Sequence, residues 1–313
     1  MRILITGALG HIGSKLIRTL AADIPKVEIV LIDDMSTQRF CSIFDLPKST
    51  AYHLIADDVR NIKKYKKQLG NIDYIIHLAA ITDAANSFEI KDQLLINNLE
   101  STKVIANYAL KKKIPLIFPS STSIYGPQAN TVDETSKELN PQSPYADCKL
   151  QEEKLLNKLS KKGLNLTILR LGTIFGISTG MRFHTAVNKF CWQASLDQPI
   201  TVWETAYEQV RPYLDLDDAA RAISHIIDEN IFIGETYNVV TGNYSVKDVI
   251  DAIKSHKESI SISYTKSKIM NQLSYHVLAN KIAATGFTPH GSLQVGIAET
   301  LALLGAKHLR VAS

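Results

Sequence analysis

Two short motifs, far apart in the chain, have residue types and spacings that could carry out one reaction together. Tyr145 and Lys149 are four residues apart, so on a helix they share a face. A lysine ammonium beside a phenol favours the phenolate and lowers the pKa of the tyrosine, which makes a base that is usable near neutral pH. The glycine-rich residues 7–13 directly follow the apolar run 3–5. A strand, a glycine turn and a helix in that order would hold a dinucleotide pyrophosphate.

Each motif by itself is a weak signal. A Tyr-x-x-x-Lys spacing is also typical of a surface tyrosine beside a solvated lysine, and glycine trios occur in ordinary turns. Together and in this order they predict hydride transfer between a nicotinamide and an alcohol carbon. The cofactor-binding candidates in the turn are Gly7, Gly10, His11, Ile12 and Gly13.

An acidic strand end indicates which dinucleotide binds. Asp33 lies twenty residues after Gly13, at the end of the second predicted strand. A carboxylate there accepts hydrogen bonds from the adenosine ribose and repels a 2′-phosphate, so NAD is favoured over NADP. Asp34 is the alternative for that role. Asp58 and Val59, after the third strand, are candidates for the adenine edge, with a solvated turn as the alternative.

The elements that must position these residues alternate through the first 170 residues. Strands are predicted at 2–6, 28–33, 52–56, 74–78, 116–120 and 165–170, and helices at 11–22, 62–68, 93–112 and 144–162. Near-continuous apolar strands that alternate with helices predict an α/β fold with a Rossmann-type, doubly wound parallel sheet. Ligands bind at the carboxyl ends of such strands. The residues at or just past those ends are Gly7, Asp33, His77 and Ser121.

After residue 176 the alternation becomes irregular. Helices are predicted at 182–194, 216–228, 246–254, 275–284 and 292–304. We therefore expect an NAD-binding domain over residues 1–175, to which parts of 205–240 return. Residues 176–204 and 241–313 are expected to form a smaller mixed α/β substrate lobe.

Composition and charge exclude several classes of function. Among 313 residues, 35 Lys and Arg against 31 Asp and Glu give a net charge of +4, too mild to imply nucleic acid. The cysteines Cys41, Cys148 and Cys191 have no pairing or metal spacing, and the nine histidines show no metal-ligand pattern. Met1 leads straight into the first strand, and no apolar run could span a bilayer. We expect a cytoplasmic protein with no metal, no nucleic-acid partner and no membrane partner.

Further segments lie where a dinucleotide site would need them. They are His-Leu-Ala-Ala at 77–80, Asn-Asn at 97–98, the serine-rich run 119–126 and Arg-Pro-Tyr-Leu-Asp at 211–215. With these segments, the chain resembles the extended short-chain dehydrogenase/reductases, and within them the NAD-dependent nucleotide-sugar epimerase/dehydratase family. The resemblance implies cofactor contacts from Leu78, Ala79, Ala80 and Asn98, together with Tyr145 and Lys149. It also implies that Ser121, Tyr145 and Lys149 are the catalytic residues.

The same resemblance implies substrate contacts. Arg211 falls where the family grips the pyrophosphate of a nucleotide sugar, a bidentate role that suits an arginine fork. Residues 181–188 would lie over the sugar, with His184 and Asn188 as candidates and a structural role as the alternative for His184. Thr173 stands where epimerases often have asparagine, which weakens assignment to any particular hexose epimerase.

One departure bears on the type of reaction. Family members that dehydrate nucleotide sugars carry Asp-Glu directly after the catalytic serine or threonine. This chain has Thr122 and Ser123 there, and neither is an acid at neutral pH. The sequence therefore argues against a 4,6-dehydratase, and these two hydroxyls become candidates for substrate contact.

The resemblance implies NAD-dependent oxidation at C4 of a nucleotide sugar, by a C4 dehydrogenase or a 4-epimerase. Similarity to members that oxidise a GDP-linked heptose makes that sugar one candidate. Two alternatives stay open: an NADPH-dependent keto-sugar reductase, which Asp33 disfavours, and a non-catalytic NAD-binding regulatory protein, which the Ser121, Tyr145 and Lys149 set disfavours. In this family two helices form an intersubunit bundle, so a homodimer through 93–112 and 144–162 is expected.

Overall fold

The computed structural model describes residues 1–82, 86–128, 131–266 and 274–305. The strands are β1 (Arg2–Thr6), β2 (Glu28–Asp33), β3 (Ala51–Ala56), β4 (Tyr74–His77), β5 (Leu116–Ser121), β6 (Leu166–Leu171), β7 (Thr173–Phe175), β8 (Ile200–Trp203), β9 (Val210–Asp215), β10 (Glu235–Val239), β11 (Gly242–Ser245) and β12 (Ile262–Thr265). The α-helices are α1 (His11–Asp23), α2 (Lys66–Leu69), α3 (Lys91–Lys112), α4 (Pro144–Ser160), α5 (Ala186–Ser195), α6 (Leu216–Asp228), α7 (Val246–Lys254), α8 (Asn280–Ala283) and α9 (Leu293–Leu304).

A seven-stranded parallel sheet in the order β10-β6-β5-β4-β1-β2-β3 forms the centre of the molecule. Its middle strand β1 is apolar and buried on both faces, with Ile3, Leu4 and Ile5 fully inaccessible, as expected for a parallel sheet covered by helices. The chain builds β1 to β3 on one side and then crosses to β4 on the other. This order confirms the Rossmann-type fold class and puts the topological switch between β1 and β4, where such sheets bind ligands.

A second layer covers the carboxyl end of this sheet. It contains a mixed three-stranded sheet in the order β11-β9-β7 and a two-stranded parallel sheet of β12 and β8. The helices α5, α7 and α9 pack together over a separate apolar core that includes Phe175, Val249 and Ile297. Between these pieces the chain returns to the main sheet through α6, which packs on α1, and through the edge strand β10.

The start of α4 is encoded locally. The Ser143 side chain accepts a hydrogen bond from the Ala146 backbone N–H at 3.2 Å, and Pro144 occupies the first helical position. This cap fixes the first turn of α4 beside the end of β5. Tyr145 therefore lies in the first turn of α4, near the carboxyl ends of the central strands, and Lys149 follows one turn later on the same helix.

At the expected helix 62–68 the structure has a 3-10 helix over Val59–Tyr65, followed by the short α-helix Lys66–Leu69. Two further expected helices differ from those observed. Only Asn280–Ala283 is helical within the expected 275–284. The segment before it is extended because its backbone pairs with Val132, whose N–H donates to His276 and whose carbonyl accepts from Leu278. The helix expected at 182–194 begins at Ala186, which leaves Arg182 and His184 in the preceding loop. Tertiary pairing overrode local pattern in the first case.

The expected substrate lobe over 241–313 includes residues 267–273 and 306–313, which lie outside the described residues. In the described ranges, none of the helices combines the length and apolar character needed to cross a membrane.

Candidate active site

A cleft opens over the carboxyl ends of the central strands and continues beneath α5 and the second layer. Among the residues singled out from the sequence, its wall includes Gly7, Gly10, His11, Ile12, Gly13, Leu78, Ala80, Ser121, Ser123, Tyr145, Lys149, Thr173, His184 and Arg211. The fold thus brings residues that are as far apart in the sequence as Gly7 and Arg211 together on one surface.

The glycine turn is shaped by contacts that exclude side chains. A Cβ on Gly7, whose φ is +63°, would lie 2.6 Å from the Ala79 backbone nitrogen, and a Cβ on Gly13 would lie 2.4 Å from the Ala8 carbonyl oxygen. Gly10 caps α1 without any side chain. The first N–H groups of α1 have no acceptor within the helix. This cradle fits a pyrophosphate, which helix N-termini bind through N–H groups and the helix dipole.

His11 adds a neutral donor to that cradle. It is 5% exposed, and its Nδ1 accepts a hydrogen bond from the Arg182 backbone N–H at 3.1 Å. Nε2 therefore carries the ring proton, and it has no hydrogen-bond partner among the described residues. Burial, helped by the charge of Arg182, lowers the pKa of His11 to about 3, so the ring stays uncharged.

Asp33 ends β2 beside the glycine turn. Its two carboxylate oxygens accept from the backbone N–H groups of Leu9 and Met35, each at 3.0 Å. Burial raises the pKa of Asp33, and these two hydrogen bonds oppose that shift. Asp34 is exposed, and its carboxylate binds Ser36 in a local turn. Of the two candidates, Asp33 has the position that fits a ribose next to the pyrophosphate cradle.

Asp33 and Asp34 do not line the cleft, and neither do four further cofactor candidates. The Asp58 carboxylate is engaged by Arg60, with Nη2 and Oδ2 2.5 Å apart, and this hydrogen bonding lowers the pKa of Asp58. Val59 is buried next to it. Ala79 lies behind Gly7, and Asn98 is buried with its amide bonded to the backbone N–H and C=O of Ile81, both at 2.9 Å. These bonds make Asn98 a support for the loop after β4.

The three catalytic candidates all line the cleft. Ser121 ends β5, and its Oγ lies 2.8 Å from Ser123 Oγ. Tyr145 and Lys149 share one face of α4 as their spacing predicted, and Lys149 is 3% exposed.

The expected low pKa of the tyrosine is not observed. Burial raises the pKa of Tyr145 above its ordinary value, although the charge of Lys149 opposes the shift. The sequence showed the lysine but not the desolvation of the phenol.

Lys149 also has a partner that the sequence analysis missed. Its Nζ lies 3.1 Å from Glu152 Oε2, and Glu152 is fully buried. The available signal was a glutamate three residues after the lysine, a spacing that pairs side chains on one helix face.

The cleft also has a cationic part. Arg211, on β9, has an Nε with no hydrogen-bond partner in the described part of the chain, and its Nη2 contacts Gln209 at 3.3 Å. Arg182, which belongs to the segment 181–188 expected over the sugar, and Lys189, which the sequence analysis missed, also line the cleft. So do Trp203 and Tyr275. Among the described residues that line the cleft, none is aspartate or glutamate.

Two substrate candidates lie behind the wall. Thr122 is 2% exposed, and its hydroxyl donates to the Leu171 carbonyl at 3.3 Å. Asn188 is fully buried, and its amide binds the Gly176 backbone N–H at 3.2 Å and the Arg182 carbonyl at 3.0 Å. Both residues hold loops that shape the cleft. Across the described ranges, no group of three or more His, Cys, Asp and Glu side chains could hold a metal ion.

Comparison with known proteins gives a consistent result. The model of the NAD dependent epimerase/dehydratase family matches residues 3–240. An uncharacterised UDP-glucose epimerase of Bacillus subtilis is 27% identical over 249 residues, which are 76% of this chain and 76% of that protein. A dTDP-D-glucose 4,6-dehydratase of Dictyostelium discoideum is 29% identical over 77% of this chain and 58% of its own length. The structure of UDP-glucuronic acid 4-epimerase from Bacillus cereus with NAD is 26% identical, with a TM-score of 0.85 over 97% of this chain and 98% of that one.

Proposed function

The chain belongs to the NAD dependent epimerase/dehydratase family, and we propose that it uses NAD to oxidise C4 of a nucleotide-activated sugar without expelling water. The product is either a released 4-keto sugar, from a C4 dehydrogenase, or a C4-inverted sugar, from a 4-epimerase. One observation carries this proposal: the cleft wall presents Ser121, Tyr145 and Lys149 together and has no carboxyl group among its described residues.

The residues present fit NAD. The glycine turn has no room for a side chain at Gly7 or Gly13 and leads into the N-terminus of α1, where a pyrophosphate would bind. The His11 Nε2–H is an additional donor at the same place. Asp33 would accept hydrogen bonds from the adenosine ribose. When bound, NAD accepts the hydrogen and electron pair that leave the sugar carbon.

The protein side of the reaction is proton removal. Tyr145 takes the proton of the C4 hydroxyl, and Ser121, held by Ser123, orients the sugar oxygen. Because burial raises the pKa of Tyr145, the phenolate depends on the nearby ammonium of Lys149. The charge of the oxidised nicotinamide would favour the phenolate further.

Dehydration would require a group that this cleft lacks. Expelling the C6 hydroxyl needs a positioned proton donor. Thr122 lies behind the wall, and Ser123 is an alcohol whose Oγ is engaged with Ser121. A dehydratase is among the relatives, so this exclusion rests on the cleft of this chain rather than on similarity.

The charge of the substrate wall supports an anionic substrate. Arg182, Lys189 and Arg211 line the cleft, and a nucleotide sugar carries two phosphate charges. We propose that residues 1–175 and parts of 205–240 bind NAD, and that 176–204 and 241–313 bind the nucleotide sugar. A GDP-linked heptose is one candidate within this class.

A homodimer is part of the proposal. The helices α3 and α4 pack side by side on one face of the sheet, and Ile96 on α3 is 61% exposed. A second copy of the same helix pair would cover this apolar side chain. Light scattering at micromolar concentration should give the mass of two chains, and a monomer would contradict the proposal.

The test is incubation with NAD and a panel of UDP-, GDP-, CDP- and dTDP-linked sugars, heptoses included. Mass spectrometry should find a product of unchanged mass, for epimerisation, or one that has lost two hydrogens with stoichiometric NADH. The Tyr145→Phe protein is the matched control and should give neither. A product lighter by one water would show that the enzyme is a dehydratase.

A further inference from the structure

The lysine of the cleft is held by a carboxylate to which the mechanism above assigns no role. Lys149 Nζ and Glu152 Oε2 are 3.1 Å apart, and the two side chains are 4% and 0% exposed. Burying an ion pair costs desolvation energy that the attraction between the charges often fails to recover. A buried pair beside a catalytic tyrosine is therefore weak evidence for stability and a reason to look for a functional role.

A chain of hydrogen bonds behind Glu152 has only one possible direction. Thr102 donates its hydroxyl to Glu152 Oε1 at 2.5 Å, so its oxygen can only accept from His77 Nε2, 3.2 Å away. His77 Nδ1 is then an acceptor for the Thr6 hydroxyl at 2.7 Å. Burial, helped by the charge of Lys149, lowers the pKa of His77 to about 3, so the His77 ring is neutral.

This series of hydrogen bonds anchors Glu152 to three other elements of the fold. Thr6 belongs to β1, His77 to β4 and Thr102 to α3, and all three are at most 3% exposed. The carboxylate therefore cannot swing out to solvent, and the ammonium that it holds is equally restricted. The Lys149 ammonium also lies over the Phe118 ring, 4.4 Å from its centroid. This contact restricts the position of the ammonium further.

The charge of Glu152 has a second consequence for the tyrosine. The charged and polar groups that act on the Tyr145 phenol are Lys149, Glu152 and Cys148 on its own helix and Arg182 from the loop before α5. Lys149 and Arg182 favour the phenolate, whereas Glu152 and Cys148 disfavour it. Glu152 is a fixed carboxylate, so it partly cancels the lysine charge that the tyrosine needs.

We propose that Glu152 is a positioning residue, which holds Lys149 in place beside Tyr145 and sets the pH at which the phenol becomes a base. This proposal rests on the proposed function, because it assigns Tyr145 as the base. Tyr145 and Lys149 interact strongly, so they titrate as a pair. Removing a negative charge next to the pair makes loss of its first proton easier, whichever residue releases that proton. The pH at which activity rises should therefore move down.

The adjacent residue provides a matched control. Glu153 is also buried on α4, but its carboxylate binds Arg170 of β6, with Oε2 and Nη2 2.8 Å apart. Glu153→Gln removes the same charge one residue further along and disrupts a buried pair that does not include Lys149. A purely structural role for Glu152 predicts the same consequences for both substitutions.

The experiment measures the Tyr145 phenol directly in the NAD-loaded protein. Phenolate absorbance is followed against pH for wild type, Glu152→Gln and Glu153→Gln, and the curve of the corresponding Tyr145→Phe protein is subtracted from each. We expect the Glu152→Gln midpoint to fall by about one pH unit, with the Glu153→Gln midpoint close to wild type. Where the sugar substrate is known, the rise of kcat/KM with pH should move in the same direction.

An unchanged midpoint in Glu152→Gln, or equal shifts in the two glutamine variants, would overturn the proposal. If Glu152→Gln does not fold, Glu152→Asp is the alternative variant. It keeps the negative charge but moves it away from Lys149 by the length of one methylene group. Its midpoint should then lie below that of wild type, and equality with wild type would again overturn the proposal. The titration needs no sugar, so failure to turn over any sugar would refute the proposed function separately.

Discussion

The two walls of the cleft are built in different ways. The cofactor wall is largely backbone: the turn of Gly7, Gly10 and Gly13 after β1, and the loop after β4 that packs against it. The substrate wall has long side chains, among them Lys189 from α5 and Arg211 from β9. A change on the first wall should act by steric exclusion or lost backbone geometry. A change on the second should remove charge and leave the fold intact.

The two walls meet at Tyr145, and its removal should have the largest effect. Tyr145→Phe deletes only the phenolic oxygen, and loss of a general base costs roughly 10²–10⁴ in rate. We expect turnover to fall at least about a hundredfold, with NAD affinity close to wild type by calorimetry. A variant that keeps half of the activity would remove Tyr145 from the mechanism and leave the walls without a common reaction centre.

Lys149→Met should be nearly as damaging but recoverable with pH. Burial raises the pKa of Tyr145 and the lysine charge opposes that shift, so loss of the charge moves the pKa further up. Activity should be low at neutral pH and rise in a more alkaline range than in wild type. The measurement is the kcat/KM profile against pH, with unfolding by urea as the control for stability. A profile that keeps the wild-type midpoint would make Lys149 an anchor only.

Arg211→Gln should affect the substrate wall alone. A hydrogen bond to a charged group contributes about 1.5–3 kcal/mol, which corresponds to a tenfold to hundredfold loss of affinity. We expect the KM for the nucleotide sugar to rise by about that factor, while the Kd for NAD stays unchanged. Arg211→Lys should recover part of the loss, since it keeps the charge without the bidentate fork. A change in the Kd for NAD would show that the walls are not independent.

Asp33→Ser should give the smallest change and act on the cofactor wall alone. It removes a carboxylate that would bind the ribose and repel a 2′-phosphate, so NAD affinity should fall and NADP affinity should rise. Each shift should be up to about tenfold, the size of one hydrogen bond. Fluorescence titration with both dinucleotides measures it. Unchanged NADP binding would move the discrimination to Asp34 or another group.

Prediction from the sequence succeeded where local pattern and backbone geometry coincide. Six strands of the central sheet and the glycine turn could be read from apolar runs and spacing. The inner strands were clearest, because parallel strands buried on both faces are apolar throughout. It failed for residues 275–278, where pairing with Val132 keeps the backbone extended. The start of α5 at Ala186 was also missed, which moved His184 off the helix.

The candidate site was also predictable only in part. The spacing of Tyr145 and Lys149 was enough to place them on one helix face, whereas the raised pKa of the phenol depends on burial, which spacing does not encode. Lys189 had no motif to mark it. It lines the cleft because of the position of α5 over the sheet, a long-range contact.

The sequence alone determined the sheet, the glycine cradle and the pairing of a tyrosine with a lysine, because these depend on periodicity, on the absence of a Cβ and on helical spacing. Only the tertiary structure decided that Thr122 and Asn188 lie behind the wall. It also decided that the described cleft lining has no carboxyl group, and that Glu152 faces Lys149 while Glu153 faces Arg170. The physical reason is that burial and charge neighbours are set by residues distant in the chain, so adjacent glutamates on one helix acquire different partners.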